Sequence, residues 1–191
     1  PSRCLWFVMI AAVTAQEDQI DILVNNAGAA WGAPLGEFPA IGFDKVMDIN
    51  VKAPFMLTQA LLPQLKASGT AEDPARVVMI GSIDGIRVPH GDNYSYSASK
   101  AAIHMMTRHM AAHLVGEHIL LNSIAPGPFP SKMMAYMLED EERSEFVHSS
   151  NPRKRIGTAQ DIAGAVIFLS SRAGAYTTGT VIPVDGGVST L

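Results

Sequence analysis

The chain has 191 residues, 48% of them hydrophobic and 17% charged, with a formal net charge of −4. That is enough for one soluble globular α/β-sized domain with a real core, spanning residues 1–191, and the acidic balance argues against a nucleic-acid partner: the tightest basic cluster is only Arg153-Lys154-Arg155. A single cysteine, Cys4, leaves no internal disulfide, and no Cys/His spacing matches a zinc site, so a reducing, cytoplasmic setting without metal or membrane is expected.

The opening run from Cys4 to Val13 is apolar but shorter than the roughly 20 residues that a bilayer span takes. It has some features of a secretory leader, yet a buried helix leading into the next strand is the preferred reading, and without an initiator Met the true N-terminus is expected upstream. Asp21 to Asn26 is a continuous apolar run that stops at Asn-Asn-Ala-Gly, the pattern of a buried strand ending in a tight turn. Glu37 to Lys66 has apolar residues at helical spacing, with bends expected at Pro54 and Pro63 and with Asn50 as the one polar intruder on the apolar surface. Arg76 to Gly81 predicts a second buried strand with Ser82 at its carboxyl end. Tyr94 to Val115 predicts a helix that Gly116 ends.

His118 to Ile124 predicts the third strand, closed by Ala125-Pro126-Gly127-Pro128. Phe129 to Pro152 is rich in Met and charge and should be helical in part. Thr158 is the expected N-cap of a helix through Leu169, and Thr180 to Val184 the last strand. Strands alternating with helices in this way predict a doubly wound parallel sheet covered on both faces.

In such sheets ligands bind beyond the carboxyl ends of the strands. Asn26-Ala27-Gly28, Ser82 and Pro126-Gly127 all fall at such ends, and Tyr96 opens a helix soon after one. Tyr96 and Lys100 stand one helical turn apart, so the ammonium can favour ionisation of the phenol. A phenol tuned in this way can exchange a proton with a carbonyl or an alcohol.

From about Asp21 to its end the sequence resembles the short-chain dehydrogenase/reductase family. The motifs that carry the resemblance are Asn25 to Gly28, Asn50, Ser82 within Gly-Ser-Ile-Asp-Gly, Tyr96 with Lys100, and Pro126-Gly127. Tyr94 is not the match, because Ala98 stands where its lysine would be. The resemblance implies a Rossmann-like fold and an NAD(P)H-dependent oxidoreductase that interconverts a ketone and a secondary alcohol. It makes Tyr96 the general acid/base, with Lys100 lowering its pKa and binding the nicotinamide ribose. Ser82 would hold the substrate oxygen, and Asn50 a water that links Lys100 to solvent. Asn26, Ala27, Gly28, Pro126, Gly127 and Ser131 would line the cofactor. The strings Leu114 to His118, Asn122 to Met133 and Gly174 to Gly187 look like the NADPH-dependent 3-oxoacyl reductases of the rhamnolipid-associated branch. That implies NADP(H) in preference to NAD(H), a 3-oxoacyl thioester or related ketone as substrate, and Phe129 to Phe146 as an apolar lid. Homo-oligomers are common in the family through the helices that contain Asn50 and Tyr96.

The family's glycine-rich phosphate turn is missing before Asp21, so the fold is expected to lack the family's first strands and the chain to be N-terminally truncated. The strand from Asp21 to Asn26 would then present an unpaired apolar edge. Weak cofactor binding follows, and with it an alternative function as a non-catalytic binding or dimerisation module. His109 and His113 have a metal-compatible spacing but lack the glutamate of a metalloprotease motif, so a helix surface or subunit contact is the preferred reading.

Overall fold

Continuous runs of Val, Ile, Leu and Met, apolar on both faces, form the centre of a sheet with helices above and below it. The computed structural model describes Val8, residues 10–131, Met134 and residues 139–190. The strands β1 (Ile22–Asn25), β2 (Ala75–Ile80), β3 (Ile119–Pro126) and β4 (Val181–Val184) pair in parallel, in chain order. Between them lie α1 (Ala40–Met47), α2 (Ala53–Ala60), α3 (Leu62–Ser68), α4 (Tyr94–Leu114), α5 (Glu141–Ser150) and α6 (Ala159–Ser170).

Side-chain alternation divides the core. Ala75, Val77, Met79, Ile119 and Leu121 face Leu65 of α3 and Ile103 and Ala111 of α4. Val78 and Ile124 face Leu169 of α6 on the other side. The start of α6 is fixed as expected, with the Thr158 N–H donating to Asp161 Oδ2 at 2.8 Å. Strand order never reverses within this sheet, so the crevice that a doubly wound fold opens at such a reversal is not built by these strands.

Three local expectations are corrected. The stretch from Glu37 to Lys66 is broken by a π-helical turn, Asp48–Lys52, besides the interruption at Leu61 before Pro63. The turn after α4 is ended by His118 in the left-handed conformation, φ 56°, and Gly116 has no positive φ. The N-terminal run is helical over residues 10–14 but is not buried, since Val8 is 66% exposed. Residues 4–7 and Met9 of that run lie outside the described residues, as do Lys132, Met133 and residues 135–138 of the expected lid.

The open edge is present: among the described residues β1 pairs only with β2, and Ile22 and Val24 are 48% and 39% exposed. Ile22→Lys is expected to reduce concentration-dependent aggregation, read by light scattering, while changing the unfolding free energy by no more than about 0.5 kcal/mol. A loss of about 2 kcal/mol in a denaturant melt would mean that another part of the protein covers this strand.

Candidate active site

Ser82 follows the last residues of β2 in extended backbone, and its side chain accepts the Asp84 N–H at 3.2 Å, which caps the short turn Ile83–Gly85. This turn lies directly on α4: a Cβ added to Gly85 would stand 2.6 Å from Lys100 C and from Ala101 N, so no larger residue fits. Tyr96 lies in the first turn of α4, and its phenol faces the Ser82 hydroxyl. One turn later, Lys100 Nζ stands 5.4 Å from the centroid of the Tyr96 ring and donates to the Ile80 carbonyl at 2.8 Å.

Burial dominates the electrostatics. Lys100 is only 4% exposed, and desolvation lowers its pKa to about 8. Tyr96 is raised above the usual phenol range by burial first; the Ser82 hydroxyl pulls it down and the Asp84 carboxylate pushes it up. Asp84 is itself raised by burial, against a hydrogen bond from Asn93. The expectation that the Tyr96 pKa lies below the usual phenol value is therefore corrected for this structure, because burial outweighs the groups that favour ionisation. The ammonium is engaged with a backbone carbonyl, and the phenol keeps its proton at neutral pH.

Asn50 lies inside the π-helical turn and is buried. Its Oδ1 accepts the Ala29 N–H at 2.8 Å, and its Nδ2 donates to the Ala29 carbonyl and to Ser99 Oγ, each at 2.9 Å. Both amide hydrogens are thus used, and one oxygen lone pair remains. Ser99 passes the connection on by donating to the Tyr96 carbonyl at 2.7 Å. Gly28 flanks the same groups: an added Cβ would lie 3.7 Å from Asn50 Oδ1 and 3.8 Å from Lys100 Nζ.

Gly28, Asn50, Ser82, Tyr96 and Lys100 are thus brought together. Asn26 and Ala27 are exposed on the loop leading to Gly28. It is Asn25 that reaches inward, donating to Thr58 Oγ1 at 3.2 Å. Pro126 and Gly127 are held to the end of β4, with the Gly127 N–H donating to the Val184 carbonyl at 3.0 Å and its Cα packed against Asp185. Ser131 is exposed, and its hydroxyl accepts the Met134 N–H at 3.3 Å. The His109 and His113 rings lie 5.1 Å apart on exposed turns of α4, and among the described residues no group of three or more His, Cys, Asp or Glu could hold a metal. Sequence reasoning gave no role to Ser99 or Asp84, although both stand within the motifs it used.

A parallel sheet with helices on both faces and a polar cluster beyond its strand ends defines a Rossmann-like α/β protein. The chain belongs to the short-chain dehydrogenase/reductase family: the family model described as enoyl-(acyl carrier protein) reductase matches residues 6–189. It is 48% identical over 169 residues to the rhamnolipids biosynthesis 3-oxoacyl-[acyl-carrier-protein] reductase of Pseudomonas aeruginosa, covering 88% of this chain and 66% of that protein. It is 34% identical over 180 residues to gluconate 5-dehydrogenase of Gluconobacter oxydans, covering 94% of this chain and 68% of that one. Among solved structures, the Pseudomonas aeruginosa RhlG/NADP active-site complex superposes with a TM-score of 0.93 at 45% identity, over 96% of this chain and 72% of that chain. The chain spans about two thirds of the length of these curated relatives. No helix among the described residues is long and apolar enough to cross a membrane.

The depressed Lys100 pKa has a measurable consequence. Above about pH 8 the folded protein releases a proton that the unfolded chain, with a lysine near 10.5, still holds, so stability rises with pH across that window. Chemical denaturation at pH 8 and pH 10 should show Lys100→Met without a gain of roughly 2 kcal/mol that the wild type has.

Proposed function

We propose that this chain is one α/β domain that carries the reducing site of an NAD(P)H-dependent ketone reductase. The observation that carries this reading is the protonated Tyr96 phenol, facing Ser82 and lying under Lys100, beyond the carboxyl end of β2. The bare backbone of Gly28 beside Lys100 and Asn50 fits a nicotinamide riboside: Lys100 and Tyr96 would hold the ribose, and Gly28 would allow close approach. When bound, the dihydronicotinamide supplies hydride to the carbonyl carbon. Ser82 orients the carbonyl oxygen, and Tyr96 delivers its proton to that oxygen as negative charge develops there. Lys100 then stands beside the phenolate, where its cation is stabilising. The remaining Asn50 lone pair can accept a water and open a route for the returning proton.

The relative named for 3-oxoacyl-[acyl-carrier-protein] reduction and the NADP complex support a 3-oxoacyl thioester as substrate and NADP(H) as cofactor. Apolar side chains around the loop after Ser82 and on α5 suit an acyl chain: Ile86, Val88 and Phe146 are exposed, and the Phe146 ring meets His90 edge-on at 6.4 Å. Exposed Ile41, Phe43 and Met105 support a homo-oligomer through α1 and α4. A second reading, a non-catalytic module, rests on the open edge of β1.

NADPH fluorescence titration, followed by ketone reduction with a 3-oxoacyl thioester, separates the two. On the first reading Tyr96→Phe loses about two orders of magnitude or more in kcat with NADPH affinity little changed. Full activity in that variant would remove Tyr96 from the chemistry, and a wild-type chain that neither binds NADPH nor turns over would leave the module.

A further inference from the structure

A histidine outside the proton transfer lies directly beneath the Ser82 turn. His104 stands one turn beyond Lys100 on α4 and is 5% exposed. Its ring is pressed against the backbone of Gly81, where an added Cβ would overlap Nε2 and Cδ2. The Gly85 backbone is the polar group that faces the imidazole and favours its protonation against burial. Its Nε2 has no hydrogen-bond partner among the described residues. Gly81 and Gly85 bracket Ser82, so a single side chain touches both ends of the turn that carries the hydroxyl. The helix that carries His104 also carries Tyr96, two turns earlier.

We propose that His104 is a positioning residue: by abutting Gly81 and facing the Gly85 backbone, it sets the height of the Ser82 turn along α4 at which the Ser82 hydroxyl meets the Tyr96 phenol. This rests on the roles given above to Ser82 and Tyr96. A neutral ring suits the task. Desolvation holds His104 down to about 4, and the charges that face it, Lys100 and Arg108, act in the same direction. An apolar replacement would fill the space but leave the Gly85 backbone without a polar neighbour there, and the turn would be free to shift. A glutamine keeps a donor of similar reach.

The test reads the Tyr96 phenol itself, in the full chain without cofactor. The 13C resonance of its Cζ is assigned with Tyr96→Phe and followed at pH 7 and through alkaline titration; Asp84 and Lys100 are the charged groups beside it. Ser82→Ala supplies the benchmark, with a displaced signal at pH 7 and a midpoint raised by about one pH unit. His104→Leu should reproduce that displacement, and His104→Gln should return the wild-type signal. Should the leucine variant fail to fold by circular dichroism, His104→Met replaces it with the same expected result. A wild-type Tyr96 signal in the folded apolar variant, with Ser82→Ala displaced, overturns the proposal and leaves His104 as packing. Equal displacement in the glutamine variant overturns it too, because ring volume and not the polar contact with Gly85 would then matter. If Ser82→Ala itself leaves the signal unmoved, the Ser82–Tyr96 pairing falls, and the role of His104 falls with it.

Discussion

An ammonium group almost wholly removed from water must find a partner or lose its charge, and Lys100 finds the Ile80 carbonyl. That one bond ties the middle of a long helix to the last residue of a central strand. Gly81 and Ser82 come next along the chain, so their distance from Tyr96 is set by the same tie. On the other side, the carboxamide of Asn50 grips both polar groups of the Ala29 peptide and brings Gly28 up to the ammonium. The site is thus positioned mainly by backbone atoms, which a packed sheet holds more rigidly than side chains can hold one another.

The same burial that fixes the geometry also sets the proton inventory. Tyr96 is pushed toward its neutral form, and Lys100 is brought down to about 8, within reach of losing its proton. On the reading proposed above, the resting phenol has a proton to give to a carbonyl, and the lysine matters most once that proton has left. Asp84, beside the pair, is raised by burial, and its negative charge pushes the phenol further toward its protonated form.

The strands were legible because a buried parallel strand is an unbroken apolar run, and each of the four stands out between polar turns. The meeting of Asn50, Ser82, Tyr96 and Lys100 followed from a general rule about strand ends, and the structure brings them together with Gly28. The π-helical turn was not legible: Asn50 announces itself only as a polar residue on an apolar face, and its partner Ala29, 21 residues away in sequence, belongs to the assembled fold. The left-handed His118 was hidden by Gly116, which carries the usual sign of a helix end two residues too early. The sign of the Tyr96 shift was missed because spacing shows that a lysine is near, whereas depth of burial and the lysine's other partner belong to the assembled fold. Pro126, Gly127 and Ser131 sit at a strand end and a turn as expected, but the bonds that hold them run to β4 and to Met134.

Strand order that equals chain order also bears on how this fold assembles. Each new strand joins the one made just before it, so no segment has to thread between partners already paired or wait for a strand synthesised much later. The sheet can therefore grow vectorially, as the chain leaves the ribosome, from β1 toward β4. Growth in that direction buries each edge behind it in turn. Among the described residues the two outer edges, that of β1 and that of β4, are the ones that no strand of this sheet covers.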